Sequence, residues 1–371
     1  RIVYTDDELY SSSKIINTSG FNLSSQQKKF LDKIKVNKNF NNNEKISKVI
    51  NSYFNLKVLV IGETIIDEYV FCEALGKSGK EPVLALRDLY KEKYLGGAAA
   101  IARNLSGFCK KITLLSSIGE NKEELAFIKK CLPKNVKRDF LAKKNSTTIV
   151  KKRFIDSVNK NKVLGVYSIN DNPLNKNQSS VLNKKIIKQI KKHDLVIVSD
   201  YGHGFISNDA AKKIIKYSKF IAVNAQLNAA NVGHHTISNY VGANLVIINE
   251  NEMRHEMRNK YDGVEILIKK LSDKLKLQYT TVTSGDSGSK IYTRRSKKLL
   301  SCPAFAKNVV DKVGTGDAML ALLSVGIYKK NDVNFSMLVS ALAAAMKIQF
   351  MGNSQQIKKP DIIKSLQAYL S

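Results

Sequence analysis

Long apolar runs are missing from the chain. No stretch approaches the roughly 18 consecutive apolar residues that a membrane-spanning helix needs, and the opening residues RIVYTDDELYSSS lack the apolar centre of a secretory signal. These absences lead to the expectation of a soluble cytoplasmic protein with no membrane partner. Cysteine is scarce too. Cys72, Cys109, Cys131 and Cys302 are scattered, with no CxxC pair and no histidines at metal-ligand spacing, so they read as reduced core or surface thiols rather than a metal centre. Acidic residues are outnumbered, with 32 Asp and Glu against 61 Lys and Arg, a formal charge of +29. Such a surplus suits nucleic acid, an anionic membrane or phosphorylated small molecules. The lysines, however, are spread through every segment (KKF, KKI, KKN, KKH, KKL, KKP) with an excess of Asn and Ile and no interleaved aromatics. That pattern is a global bias, and it argues against a nucleic-acid partner. Internal repeats of roughly 20 to 50 residues are absent as well, which leaves one catalytic domain as the expectation.

What is present is enough for a substantial core: 371 residues, 43% of them hydrophobic, suit one large α/β domain with a short appendage. Residues 1–20 carry a small motif. Residues 21–55 are rich in Lys, Asn, Ser and Gln, with Phe30, Leu31 and Ile34 at helical spacing, and read as a linker with helical tendency. From residue 56 the texture changes. KVLVIGE is a β-branched run closed by glycine, as in a strand buried on both faces, and similar runs recur at KITLLSSIG, DLVIVSDYG, KFIAVNA, ANLVIINE and YTTVTSG. Helix-like stretches such as 121–131 and 182–192 separate them. This alternation predicts an α/β fold with a doubly wound, mostly parallel sheet flanked by helices. EPVLALRDLYKEKYL and the pair TTIVKKRFID and KVLGVYSIN alternate in side-chain character instead, like antiparallel ribbons, and are expected to form a small β lid over one edge of the sheet.

The stretch VVDKVGTGDAMLALLSVGIY, residues 309–328, places a Gly-Thr-Gly-Asp turn at the mouth of an apolar helix. Amides at a helix start are unpaired and meet the positive end of the dipole, and Gly314, Thr315 and Gly316 leave them open to a phosphoryl group. Asp317, in the first turn beside that phosphate, can accept a hydroxyl proton while the amides stabilise the transferred charge. The same residues also suit an ordinary turn followed by an N-terminal helix charge.

Asp311, Gly314, Thr315, Gly316 and Asp317 resemble the second signature of the ribokinase-like carbohydrate kinases, the PfkB family, whose pattern is Asp-x-x-Gly-Ala/Thr-Gly-Asp. The resemblance runs through residues 57–371 and implies a ribokinase-like fold, ATP as phosphoryl donor, magnesium as its metal, and Asp317 as catalytic base. VIGETIIDEYV resembles the family's first strand, which makes Asp67 a sugar ligand, or else a turn carboxylate. LGGAAAIARNLSGF resembles the Gly-Gly signature, in which Gly96 and Gly97 let the backbone approach the sugar; Ala100 stands where the family has a sugar-contacting asparagine. Asn249 and Glu252 in VIINENEMR match Asn-x-x-Glu, which organises magnesium and phosphate indirectly, or caps a helix. VTSGDSGSKIY resembles the nucleotide-binding Thr-x-Gly-x-x-Gly turn, implying that Thr283, Gly285 and Gly288 line the ATP site. ALAAAMKIQFMGN reads as a helix that closes over the adenine or simply packs, and no site is assigned to it.

Within the family, VLVIGETIIDEY, KSGKEPVLAL, LGGAAAIARNL and LVIVSDYGHG resemble the heptose 7-phosphate kinases of lipopolysaccharide precursor synthesis. His203 replaces a common lysine, and IAVNAQ lacks the usual Asp-Pro-Lys. Asp200 either binds sugar or caps a strand end, and Arg153 in the lid ribbon is the candidate for a bidentate contact to an acceptor phosphate. A nucleoside or small-alcohol kinase, and a sugar-binding protein without turnover, are the competing functions, and lid ribbons of this kind suggest a homodimer. YTDDELYSSSKIIN resembles the last motif of cytidylyltransferase-like domains, with Ser11, Ser12 and Ser13 at the phosphate-contacting places, or it is a serine-rich tail. Together with the non-Met start, this leads to the expectation that residues 1–20 are the remnant of a nucleotidyltransferase domain in a longer bifunctional protein.

Overall fold

The computed structural model describes residues 23–40, 42–228, 231, 233–306 and 308–371, so the N-terminal motif with Ser11, Ser12 and Ser13 lies outside the described residues. In chain order the strands are β1 (Lys57–Lys77), β2 (Leu84–Gly96), β3 (Lys111–Gly119), β4 (Val136–Lys143), β5 (Ile149–Asp156), β6 (Lys162–Ser168), β7 (Leu195–Asp200), β8 (Ile221–Ala225), β9 (Leu245–Asn249), β10 (Tyr279–Thr283), β11 (Ser289–Thr293) and β12 (Lys298–Cys302). The main sheet runs β12-β11-β10-β9-β8-β7-β1-β3-β4. Neighbours from β10 to β4 are parallel, and β11 and β12 extend one edge antiparallel.

Both faces of this sheet are covered, which is why its strands are continuous Val, Ile and Leu runs. Successive side chains point to opposite faces. Val58 and Val60 of β1 therefore enter one core, beneath the helices Gly97–Leu105, Thr315–Tyr328 and Val333–Lys347. Leu59 and Ile61 enter the other, beneath Lys176–Ile190, Asn208–Tyr217 and Val264–Lys274. The doubly wound, mostly parallel architecture expected from the strand and helix alternation is the one observed.

The lid differs from the expectation in one respect. β1 does not stop at the glycine of KVLVIGE but continues for 21 residues. It leaves the main sheet after Glu63 and from Ile65 onward pairs with β2 antiparallel and with β5 parallel. β6 then pairs antiparallel with β5. Alternation of side chains reports which face of a strand is covered, not which direction its neighbour runs, so the parallel β1–β5 ladder left no mark in the sequence.

The segment 21–55, read as a linker, carries the helices Ser25–Lys35 and Asn43–Asn51. Ser24 and Gln27 form a reciprocal capping box at the first, and the Asn42 side chain caps the second. Phe30, Leu31, Ile34, Ile46, Ile50 and Tyr53 are buried in the first core, and Phe40 stacks on Phe335 with ring centroids 4.0 Å apart. Among the described residues no helix is long and apolar enough to cross a membrane, and the four cysteines are free thiols.

Because Ile50 is completely buried in that shared core, Ile50→Ala is expected to lower stability by about 2–5 kcal/mol. Urea unfolding checks this; a segment acting only as a tether would leave the midpoint in place.

Candidate active site

In an open parallel sheet, ligands gather beyond the carboxyl ends of the strands, at the point where strand order reverses. Here the chain starts at β1, proceeds to β3 on one side, and later builds β7 to β10 on the other. Asp67 follows the core portion of β1, Tyr201 follows β7, Asn249 ends β9 and Thr283 ends β10. All four line one cavity of about 850 Å³, within the size range of ligand pockets.

The floor of the cavity is the start of the helix Thr315–Tyr328. Gly314 precedes it at φ +83°, where a Cβ would lie 2.1 Å from Asn353 Oδ1, so only glycine fits. No side chain caps this helix start, and its first amides therefore keep their capacity to bind an anion. Gly314, Thr315, Gly316 and Asp317 all line the cavity, and beyond the Gly316 Cα there is open space. Thr315 turns its hydroxyl back to donate to the Lys312 carbonyl at 2.9 Å. Asp317 is buried, and its Oδ1 accepts from the Tyr201 hydroxyl at 3.2 Å. Burial, reinforced by the nearby Asp67 carboxylate, pushes its pKa up to about 7 against the opposing pull of Tyr201, Lys347 and Lys151.

Tyr201 is held by a second buried carboxylate. Glu63 of β1 accepts from the backbone amides of Tyr201 at 3.0 Å and His203 at 3.1 Å, which fixes the turn after β7. Burial, then the neighbouring Asp200, raises the Glu63 pKa. The turn ahead of the helix is anchored through Asp311. Its carboxylate accepts from Lys162 Nζ of β6 at 2.6 Å, the Gly352 amide at 2.9 Å, the Val313 amide at 3.2 Å and the Tyr69 hydroxyl. Burial opposes ionisation of Asp311, but these donors outweigh it and hold the carboxyl below its usual range.

At the lid end, Arg153 Nη1 meets Asp67 Oδ1 at 2.5 Å. Gly96 leaves the room that Asp67 occupies, since a Cβ there would lie 2.5 Å from Asp67 Oδ2, and Gly97 lines the cavity wall beside it. Lys151, only 8% exposed, reaches into the cavity 5.1 Å from the Tyr201 ring and 5.9 Å from the Tyr167 ring. Among the described residues its ammonium has no hydrogen-bond or ion-pair partner. Burial lowers its pKa while the charge of Asp67 works in the opposite direction.

At the far end, Asn249 and Glu252 form a capping box at the helix Glu250–Met257, the helix-cap reading of this pair, and both also line the cavity. Glu252 is buried, which pushes its pKa up to about 7. Thr283, Gly285 and Gly288 form the adjoining wall, together with residues 303–306 and with Ala341, Ala344, Ala345 and Ile348. Among the described residues no group of three or more His, Cys, Asp or Glu is placed to hold a metal unaided. The oxygens of Asn249 and Glu252 suit magnesium, which keeps much of its water shell and takes few protein ligands.

One nominated position stands apart, and so does a histidine to which no site was assigned. Asp200 does not line the cavity: its Oδ2 accepts from the Tyr240 hydroxyl at 2.6 Å and its Oδ1 from the Gly202 amide at 3.0 Å, the strand-end cap of the two alternatives. His203 pairs with Asp171 through Nδ1 at 2.6 Å, outside the cavity lining. Residues that sequence reasoning passed over include Tyr201 and Lys151, single side chains in strand and turn with no spacing signal. Ala341, Ala344 and Ala345 with the C-cap Ile348 did carry one, alanines at i, i+3 and i+4 followed by an apolar residue at i+7.

Comparison with known proteins bears on the family and the fold. The "Bifunctional protein HldE" of Campylobacter jejuni (strain RM1221) is 26% identical over 300 residues, covering 80% of this chain and 62% of the relative. The protein of the same name from Helicobacter pylori (strain G27) is 28% identical over 306 residues, covering 80% and 64%. The chain thus spans about three fifths of the length of the curated relatives it matches. Among solved structures, phosphofructokinase-2 from Escherichia coli in complex with potassium superposes with a TM-score of 0.68 at 13% identity, covering 85% of this chain and 99% of that one. Arabidopsis thaliana ribokinase complexed with ribose and ATP gives 0.63 at 15% identity, with 85% and 99% covered. At such identities the superpositions speak to the fold alone. The pfkB family carbohydrate kinase model, however, matches residues 55–360, more than four fifths of the sequence, and this protein belongs to that family of sugar kinases.

Proposed function

We propose that this kinase transfers the γ-phosphoryl group of magnesium-bound ATP to a hydroxyl of a phosphorylated sugar, and that a heptose 7-phosphate is the acceptor to test first. The observation that carries the reading is Asp317: a buried carboxylate poised near pH 7, in the first turn of an uncapped helix, on the floor of a cavity long enough for two substrates. The acceptor hydroxyl lies between Asp317 and the γ-phosphate. Its oxygen forms the new bond to phosphorus as the bond to the ADP oxygen breaks, and its proton passes to Asp317. The amides of Gly314, Gly316 and Asp317 at this turn take up the charge on the transferred group, while that of Thr315 is turned to the Lys312 carbonyl at 3.5 Å. Tyr201 orients the base through its hydroxyl.

The lid end supplies the acceptor site. Asp67 accepts from sugar hydroxyls, Gly96 and Gly97 allow close approach, and the cations Lys151 and Arg153 take the acceptor phosphate. Ala100 is buried, so a sugar contact from that position is replaced by these lid residues. The heptose choice rests on the resemblance of the first strand, the Gly-Gly signature and the SDYGHG segment to heptose 7-phosphate kinases. The other end holds ATP through Asn249, Glu252, Thr283, Gly285 and Gly288, and magnesium bound with it neutralises phosphate charge. The lid strands leave Leu84, Leu89, Leu164 and Val166 exposed, and a second copy of the chain is the partner we assign to them.

Asp317→Asn is expected to lower kcat by about 10²–10⁴-fold while ATP affinity changes little, as read from coupled ATP-consumption assays and direct nucleotide binding. Because the base acts in its ionised form and its pKa is raised to about 7, wild-type turnover should climb as pH rises through about 7 and level off above it. Turnover unaffected by the substitution would remove Asp317 from the role, and sugar binding with no ATP consumption in the wild type would mark an idle member of the family. Measured on the alkaline plateau, where Asp317 stays ionised without the help of Lys151, Lys151→Met should raise KM for a phosphorylated acceptor about tenfold or more with kcat nearly unchanged and leave the affinity for an unphosphorylated sugar alone; equal losses for both acceptors would rule out a phosphate contact at Lys151.

A further inference from the structure

One wall of the cavity, residues 303–306, belongs to no helix or strand, so the ladder that fixes β12 does not extend to it. On one side this wall touches the glycine turn. Gly288 sits at φ +82°, and a Cβ there would lie 2.1 Å from the Cys302 carbonyl oxygen and 2.8 Å from the Ala304 nitrogen. On another side it meets the helix Ser25–Lys35, which precedes the residues 55–360 that match the family. Gln27 Nε2 donates to the Ala304 carbonyl at 2.7 Å, across 277 positions of sequence. The Gln27 amide is itself immobilised, because its Oε1 accepts from the Ser24 backbone at 2.9 Å in the capping box. One turn further on, the buried Phe30 ring meets Phe305 at 6.4 Å between centroids, and Phe305 in turn meets Tyr369 at 5.3 Å.

A planar trans peptide ties the direction of the Ala304 carbonyl to that of the Phe305 amide. Gln27 therefore sets the orientation of a wall peptide, and the aromatic contact sets its distance. We propose that the helix Ser25–Lys35 completes the nucleotide end of the cavity from outside the family domain, with Gln27 as a positioning residue that holds the wall 303–306 against the glycine turn. The inference rests on the reading that ATP occupies this end. It accounts for a helix of largely polar composition being held by a capped, geometrically specific amide contact in addition to its apolar residues.

The full chain carrying Gln27→Glu tests it. The glutamate keeps an oxygen to accept from Ser24, so the helix cap survives, but it replaces the donor facing Ala304 with a second acceptor. Expected are a rise of about 5–10-fold in the ADP dissociation constant by calorimetry and in KM for ATP, with kcat within about twofold, acceptor KM unchanged and the melting temperature near wild type. Phe30→Leu, which shortens the contact to Phe305 but stays apolar, should shift nucleotide affinity in the same direction and serves if the first variant does not fold. Wild-type nucleotide affinity in either folded variant overturns the proposal, as does a matching loss of acceptor affinity, which would signify general loosening. Absence of nucleotide binding in the wild type is a different result and overturns the assignment of this end of the cavity to ATP.

Discussion

A carboxylate removed from water at the mouth of a helix is the constraint around which this molecule is built. Ionising Asp317 costs free energy because burial strips its hydration, and Asp67 nearby adds to the cost. The Tyr201 hydroxyl and the charges of Lys347 and Lys151 offset part of it, leaving a group that changes protonation near neutral pH. Each supporting contact has its own anchor. Tyr201 stands where Glu63 holds the turn after β7, and Gly314 adopts its left-handed backbone because it has no Cβ, which also leaves Asn353 the space that a side chain would fill. Lys347 is itself buried, with its pKa drawn down to about 7 chiefly by that burial, and it donates to the Gln355 carbonyl.

The lid and the floor of the cavity share a carboxylate. Asp311 collects donors from β1 and β6 of the lid, from the turn before the helix Thr315–Tyr328 and from Gly352 in the C-terminal loop. A change in lid position therefore acts on the segment that shapes the anion-binding turn. This coupling follows from the long course of β1, a single strand that carries Val58 and Val60 in the main core and Asp67 and Tyr69 in the lid. The N-terminal helices add a third connection, since Gln27 and Phe30 meet the wall beside the glycine turn.

The legible part of the fold was the part whose physics is local. Strands buried on both faces have to be apolar throughout, and so β1, β3, β7, β8, β9 and β10 stand out as Val, Ile and Leu runs. The edge strands β4 and β12 did not, because they are covered less fully and VKRDFLAK or KLLSC looks like many surface segments; β11, one place in from the edge, is only five residues long. The glycine turns at 285–288 and 314–316 were legible because Gly285, Gly288 and Gly314 take positive φ, a backbone conformation that glycine alone adopts readily. Asp200 could be read two ways in the sequence. The choice was made by Tyr240, forty positions away, whose hydroxyl takes the carboxylate out of the cavity.

By itself the sequence determined the alternation of strands and helices, the start of the helix Thr315–Tyr328 and the residue types at its mouth, since these depend on side-chain period and backbone freedom within a few residues. Only the tertiary structure decided which carboxylates face the cavity, that Lys151 and Arg153 arrive beside Asp67, that Tyr201 reaches Asp317, and that the segment before residue 56 packs into the core. Those outcomes come from contacts between positions as much as 336 apart. Packing and desolvation act on distance in space, and no local pattern in a chain encodes which of its distant residues will meet.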